Sequence, residues 1–140
     1  MKNLLLLLCS LPVLSSVATA EDVKSAIIAM ERAALNRSDK GDVDGFLEIS
    51  DPEVTYFDPM LDAPIHGLEA LRTYYHGFPM TGTISGRMTN VNVQIAGDVA
   101  VLTFNYISKI CWNTTEVYKR TPDGWRIIHT HWAYLKPQSP

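Results

Sequence analysis

The chain has 140 residues, of which 46% are hydrophobic, enough for one domain with an apolar core and too few for two. Twelve Lys and Arg stand against fifteen Asp and Glu, giving a net charge of −3. This mild acidity argues against nucleic acid or an anionic membrane as a partner, because both require a basic face.

Residues 1–20 have the pattern of a secretory signal peptide. Lys2 supplies a positive start, a leucine-rich apolar stretch follows, and Ala18-Thr19-Ala20 places small residues where a signal peptidase reads them. We therefore expect cleavage before Glu21 and a secreted or periplasmic protein, with no membrane attachment afterwards. The alternative is a lipoprotein anchored at Cys9, although that cysteine lies inside the apolar run and lacks a small residue before it.

The predicted mature part is one domain over residues 21–136, followed by a tail at 137–140. Loss of Lys2 changes the net charge from −3 to −4 and leaves Cys111 as the single cysteine. An intrachain disulfide is then impossible, so the fold must depend on its apolar core. We expect Cys111 itself to be buried and unreactive, because nothing in the sequence supplies a cationic neighbour.

The first half of this domain predicts three helices and one strand. Apolar residues at spacings of three and four predict a helix from about Glu21 to Ser38, and Asp42 is a candidate N-cap for a short second helix. The β-branched and aromatic run at 53–58 predicts a strand, and a third helix follows from Gly67 to about Gly77. The inward residues are Val23, Ala26, Ile27, Met30 and Ala34 in the first helix, Val43, Phe46 and Leu47 in the second, and Leu68, Leu71, Tyr75 and Phe78 in the third.

From Thr83 onward the apolar period changes to two, which predicts antiparallel strands at 91–95, 99–107, 111–120 and 125–135. Gly97-Asp98 and the run 121–124 supply the turns between them. The fold class is therefore α+β, with N-terminal helices packed on a curved, mostly antiparallel sheet. Helices that cover part of a bent sheet leave an internal pocket, and the other sheet face remains free for dimerisation.

Several short motifs occur in a recognisable order. They are Gly41-Asp42 before a short helix, Asp51-Pro52 before Val-Thr-Tyr-Phe-Asp-Pro, Gly67-Leu68-Glu69, and Asp-Gly-Trp-Arg-Ile-Ile-His-Thr-His at 123–131. The order resembles the association domain of calcium/calmodulin-dependent protein kinase II. More broadly, it is similar to the SnoaL-like and ketosteroid-isomerase-like members of the nuclear-transport-factor-2-like superfamily, over residues 23–134. The resemblance implies a cystatin-like cone that associates with itself as a dimer or higher homo-oligomer.

The kinase association domain has a pocket lined by arginines that receive acidic groups. Alignment of the surrounding motifs places those positions at Tyr106, Glu116 and Trp132 in this chain. The resemblance therefore implies an aromatic pocket that takes a small, largely apolar ligand, with Tyr56 as a fourth ligand-binding residue. An anionic ligand would face Glu116 without an arginine beside it.

The leading hypothesis is thus a ligand-binding, self-associating domain, and two others stay open. Asp58 closes the predicted early strand, and a pocket carboxylate beside tyrosines is how isomerase-like and cyclase-like relatives abstract a proton next to a carbonyl. An isomerase, cyclase or hydrolase using Asp58, Glu116 or a histidine as base is therefore the second hypothesis. The third is a structural oligomerisation hub, in which Asp58 only caps the turn at Pro59 and the tyrosines are core residues.

His129 and His131 lie two residues apart on the predicted last strand and so share a face, together with Trp125 and Ile127. Packing at a subunit interface and a role as general base are both open for these histidines. A metal site with Asp58 as third ligand is disfavoured, because such strand pairs are common and a fourth ligand is not evident. The sequence predicts no metal and no cofactor.

Overall fold

The computed structural model describes residues 19–77 and 85–136. The predicted signal peptide, apart from Thr19 and Ala20, lies outside the described residues, as do Phe78 and the predicted tail. A short strand at residues 65–66 was not predicted, and the other elements follow the predicted order. The elements are α1 (Ala20–Ser38), α2 (Asp44–Ile49), β1 (Ser50–Phe57), β2 (Ile65–His66), α3 (Leu68–Gly77), β3 (Arg87–Ala96), β4 (Val99–Ile107), β5 (Cys111–Thr121) and β6 (Gly124–Tyr134).

Helix α1 starts with a capping box. The Thr19 hydroxyl accepts a hydrogen bond from the Asp22 amide at 3.2 Å, and the Asp22 carboxylate accepts one from the Thr19 amide at 2.9 Å. The buried stripe of the helix contains Ile27, Glu31, Ala34 and Leu35. Ala26, predicted to face inward, is exposed. The buried stripe of α1 includes the charged residue Glu31, which was not among the residues predicted to face inward.

The join between α1 and α2 is made by charged side chains. The Arg37 guanidinium contacts Asp42 at 2.7 Å and Glu48 at 2.6 Å. It therefore links the end of α1 to the turn before α2 and to the last turn of α2. Val43, not Asp42, occupies the N-cap position of α2, which corrects the prediction. The Asp42 carboxylate still accepts a hydrogen bond from the Asp44 amide at 3.2 Å.

The six strands form one mixed sheet in the order β2-β1-β6-β5-β4-β3. All neighbours are antiparallel except β1 and β6, which run parallel. The two predicted turns are confirmed: Gly97 with φ +60° joins β3 to β4, and Gly124 with φ +109° opens β6. Glycine suits both positions because a side chain disfavours positive φ.

The helices pack on one face of this curved sheet, the inner face, as predicted. The core between the two layers includes Ile27, Leu71, Leu102, Tyr118 and Ile127, none more than 2% exposed. Burying each such side chain contributes roughly 1.5–3 kcal/mol, so this layer stabilises the fold. Within the two described ranges, no helix has both the length and the apolar character needed to cross a membrane.

A β-bulge in β6 changes which side chains face inward. Tyr118 pairs with Ile127 and Val117 with His129, so Ile128 has no partner and the alternation shifts by one residue. Ile127 is buried in the core with Trp125 packed nearby, whereas His129 and His131 lie on the outer face. The prediction that the histidines share a face with Trp125 and Ile127 is therefore wrong, because period-two counting does not detect a bulge.

Candidate functional site

A cavity of about 220 Å³ lies between the inner face of the sheet and the helices. We call it the aromatic cavity, because most of its wall consists of aromatic rings. Strands β1, β4, β5 and β6 each contribute at least one of these rings, and α2 and α3 contribute the others. The rings are those of Phe46, Tyr56, Tyr75, Tyr106, Trp112 and Trp132.

Trp132 lies at the centre of the sheet side of this wall. Its ring meets Tyr106 and Trp112 edge to face, with centroids 6.2 Å and 5.9 Å apart, and meets Phe104 in the same way at 6.0 Å. Trp112 in turn stacks on Tyr134 at 4.9 Å. Edge-to-face pairs of this kind add about 0.5–1.5 kcal/mol each beyond area burial, so the wall is held in a fixed shape.

Asp58 follows directly on β1, is 8% exposed and lines the aromatic cavity. Its Oδ2 accepts hydrogen bonds from the hydroxyls of Tyr56 at 3.0 Å and Tyr74 at 2.6 Å, and its Oδ1 accepts one from the Met60 amide at 2.7 Å. Burial, together with the neighbouring Asp58 carboxylate, raises the pKa of both tyrosines. Both therefore stay protonated as donors, and Asp58 caps its turn while facing the cavity.

A second acid, Asp39, lies at the C-cap of α1 and lines the same cavity. It accepts a hydrogen bond from the Tyr106 hydroxyl, and its Oδ2 accepts another from the Gly86 amide at 3.2 Å. A Cβ on Gly86 would lie 2.1 Å from the end of the Tyr106 ring, so only glycine leaves room for this arrangement. Asp39 was missed at the sequence level, where it is one acid among many in a turn.

Glu116, predicted to line the pocket, does not reach the aromatic cavity. It is fully buried together with Glu31 of α1. Tyr118 donates to Glu31 Oε2 at 2.8 Å and Thr130 donates to Glu116 Oε1 at 3.3 Å. Burial raises the pKa of both acids, and the charge of Glu31 raises that of Glu116 further. The other oxygen of each acid finds no donor elsewhere among the described residues, so a proton held between the two carboxyls satisfies both.

The two histidines of β6 lie on the outer face of the sheet, away from Asp58. His129 Nδ1 is 2.7 Å from the Thr55 hydroxyl, and the Phe57 ring lies 5.5 Å from His129 and 6.0 Å from His131. Burial, and then the charge of His131, lowers the pKa of His129. The sheet separates these rings from Asp58, and no group of three metal-ligating side chains occurs within residues 19–77 and 85–136.

The family of the chain follows from its sequence and its fold together. Residues 27–135 match the model of the SnoaL-like domain. The chain belongs to the SnoaL-like family. This confirms the resemblance inferred from the motifs, and the cone-shaped α+β fold agrees with it.

Solved structures place this SnoaL-like domain among several kinds of protein. A proposed ketosteroid isomerase from Parabacteroides distasonis is 46% identical, over 85% of this chain and 92% of that one, with a TM-score of 0.75. A proposed dehydratase of the NTF2-like family from Streptomyces avermitilis is 19% identical, over 85% and 100%, with a TM-score of 0.71. The calcium/calmodulin-dependent kinase II hub from S. rosetta is 22% identical, over 79% and 95%, with a TM-score of 0.69. The last two show the fold alone. No curated protein matches the chain.

The SnoaL-like fold brings together four of the seven residues proposed from sequence. Tyr56, Asp58, Tyr106 and Trp132 line one cavity. Glu116 lies in the core, and His129 and His131 lie across the sheet. Trp112 was missed, although period-two counting from Thr114 and Glu116 would have placed it on the inner face.

Proposed function

We propose that this SnoaL-like domain binds a small, largely apolar ring compound in the aromatic cavity. One observation carries the proposal: aromatic rings surround a space of about 220 Å³ that contains the carboxylate of Asp58. Concave apolar walls with a few fixed polar groups are typical of small-molecule sites. The acidic groups among the described lining residues are Asp58 and Asp39, each held by neighbouring donors.

Tryptophan fluorescence tests this proposal directly, because Trp112 and Trp132 both line the cavity. The full chain is titrated with naphthol, indole and cyclic ketones. We expect saturable binding that Trp132→Leu weakens by about tenfold or more, since a buried aromatic contact is worth about 1–2 kcal/mol. Phe57→Ala on the outer face is the matched control and keeps wild-type affinity. Absence of saturable binding by every ring compound contradicts the proposal.

A second candidate function is proton transfer, in which Asp58 is the base. Its position in the cavity favours this, and so does the 46% identical ketosteroid isomerase proposed from Parabacteroides distasonis. In this step a proton leaves the carbon beside a ketone for an Asp58 oxygen, and the electron pair remains as an enolate. Asp58 then gives a proton back to carbon, and in heavy water exchange of the Asp58 proton with solvent makes that returned proton a deuteron. Hydroxyl donors near the developing enolate oxygen would stabilise it.

Deuterium exchange at the carbon beside the carbonyl of a bound cyclic ketone tests this second function. Wild-type protein in heavy water is expected to catalyse exchange, and Asp58→Asn to slow it by roughly 10²–10⁴-fold. His131→Gln is the control, because its ring lies across the sheet from the cavity. Ketone binding without exchange leaves the binding function and removes the catalytic one.

Self-association through the outer sheet face belongs to the same proposal. Phe57 is 39% exposed there beside His129 and His131, and structural neighbours include kinase hub domains. Analytical ultracentrifugation should give at least a dimer. Phe57→Glu should reduce the measured mass from that of the oligomer towards that of the monomer. The variants His129→Ala and His131→Ala test separately whether each histidine contributes to the interface. Unchanged mass in all three variants would remove the interface from this face. A defined ring that binds no compound would favour the structural hub.

We also propose that residues 1–20 direct secretion. Their composition supports this, because a charged start, a leucine-rich run and small residues at the end form a signal sequence. Cell fractionation of a bacterium that expresses the full chain tests it. The protein is expected in the periplasm or medium, with Lys2→Glu plus charges in the leucine run keeping it inside the cell.

A further inference from the structure

A second cavity adjoins the aromatic cavity and differs from it in chemistry. It has a volume of about 280 Å³ and lies between α1 and the start of β3. Leu35, Asp39 and Tyr106 line both cavities. The hydrogen bond from the Tyr106 hydroxyl to Asp39 therefore lies on the boundary between two adjoining spaces.

Two arginines give the second cavity its charge. Arg32 of α1 and Arg87 of β3 line it, and neither guanidinium group has a hydrogen bond or ion pair in the part of the chain that the structure describes. Other arginines are engaged: Arg37 and Arg72 form ion pairs, and Arg126 donates to the Glu48 carbonyl. The guanidinium groups that remain without partners thus include two at one cavity.

Among the described residues, Asp39 is the one acid that lines this cavity, and it already has two donors. Tyr106 donates to its Oδ1 and the Gly86 amide donates to its Oδ2. Its single negative charge is outnumbered by the charges of Arg32 and Arg87. An anion entering from the aromatic cavity would meet net positive charge, and Glu116, which would have repelled it, is buried elsewhere.

We propose that the second cavity is a carboxylate subsite formed by Arg32 and Arg87. The ligand would be an aromatic or alicyclic carboxylic acid, whose ring lies in the aromatic cavity and whose carboxylate passes the Tyr106 boundary. Guanidinium groups bind carboxylates with two parallel hydrogen bonds, which suits this ligand class. This inference rests on the proposed ring-binding function and adds the class of ligand.

A matched pair of probes tests the subsite: naphthylacetate and naphthylacetamide, which share size and shape but differ in charge. Calorimetric titration of the full chain is expected to show the acid binding about tenfold more tightly than the amide, as for a charged hydrogen-bonded contact. In Arg32→Gln/Arg87→Gln the two affinities should become equal. Arg120→Gln is the control, because Arg120 is exposed and lines neither cavity.

The outcomes separate this inference from the proposed function. Equal binding of acid and amide by wild-type protein overturns the subsite and leaves the ring-binding function standing. A preference for the acid that survives in the double variant also overturns the subsite, because the attraction then comes from other charges. Failure of both probes to bind overturns the ring-binding function and the subsite together. Near-ultraviolet circular dichroism checks that each variant keeps its packed aromatic wall.

Discussion

Asp58 and the Glu31–Glu116 pair lie on the same inner side of one sheet, but their oxygens are satisfied differently. Asp58 borders a cavity and accepts three hydrogen bonds, from Tyr56, Tyr74 and the Met60 amide. Glu31 and Glu116 are fully buried, with one hydroxyl donor each. Three donors satisfy the oxygens of Asp58. The oxygens of Glu31 and Glu116 that lack such donors are satisfied by a proton shared between the two carboxyl groups.

This difference separates an acid placed for a ligand from acids placed for the core. Asp58 sits where a small molecule can approach, with its neighbouring hydroxyls held in position. The glutamates join α1 to β5 and β6 through Tyr118 and Thr130, and no ligand reaches them. Substitution of Asp58 should therefore lower ligand affinity. Substitution of Glu31 and Glu116 should change how the stability of the fold depends on pH.

The largest expected effect is a loss of stability with rising pH. Burial raises the folded-state pKa of Glu31 and Glu116 above the usual carboxyl value. Their contribution is thus complete below the unfolded-state pKa and is lost as the pH rises through the raised folded-state pKa. We expect the Tm to fall by on the order of 10 °C between pH 5 and pH 9. Differential scanning calorimetry measures this, and Glu31→Gln/Glu116→Gln should flatten the fall. An equal fall in that variant would assign the effect to other groups.

Asp58→Ala is the next largest change. It leaves the Tyr56 and Tyr74 hydroxyls and the Met60 amide without their acceptor, which costs about 1–3 kcal/mol. Urea unfolding at pH 7 measures this loss against the wild-type protein. Ring-compound affinity should fall in parallel. Unchanged stability and unchanged affinity would contradict the role given to Asp58 at this cavity.

Removal of one tyrosine hydroxyl at each site compares the Glu31–Glu116 pair with Asp58 at the level of a single hydrogen bond. Tyr118→Phe deletes the Tyr118 donor to Glu31 and should cost about 1 kcal/mol. That donor lowers the pKa of Glu31, so its loss should also extend the fall in stability to higher pH. Tyr56→Phe leaves Asp58 with two donors, so it should lower ligand affinity and also cost about 1 kcal/mol of stability. Identical pH profiles for the two variants would contradict the assignment.

The smallest effect is expected on the outer face and has the opposite sign. Burial lowers the pKa of His129, so its contribution is present above the unfolded-state pKa and is lost as the pH falls through the folded-state value. Because the ring is partly exposed, His129→Gln should change the Tm at pH 5 by only about 1–2 °C. The comparison is made at pH 5 and pH 7.5 by calorimetry. A larger change would mean that the outer face is covered by a second copy.

Much of the fold could be predicted from hydrophobic period and turn chemistry. The helices, the four long strands of the second half and both glycine turns follow directly from local pattern. The bulge at Ile128 was not predicted, because Ile127, His129 and His131 also fit an unbroken period of two and the inserted residue is itself apolar. That one residue decides which face His129 and His131 occupy.

The site was less predictable than the fold, for a related reason. Asp58 and Trp132 were found because strand ends and motif positions pointed to them. Glu31 was missed because a charged residue is normally placed on the wet side of a helix, although its spacing from Ile27 and Ala34 matches the buried stripe. Glu116 was wrongly assigned to the pocket. Alternation predicts which face of the sheet a side chain occupies, but it does not predict whether that side chain reaches the cavity or stays in the core.

The position of β6 has a consequence for how the chain reaches its folded state. Of the six described strands it is the last to be synthesised, yet it lies between β1 and β5 and joins them. Until it is present, β1 has no partner in the antiparallel block, and pairing Tyr56 with Thr130 requires closing a long loop. Such distant contacts slow folding. The sheet of the nascent chain should therefore remain incomplete until β6 emerges, and truncation within β6 should abolish folding of the whole domain.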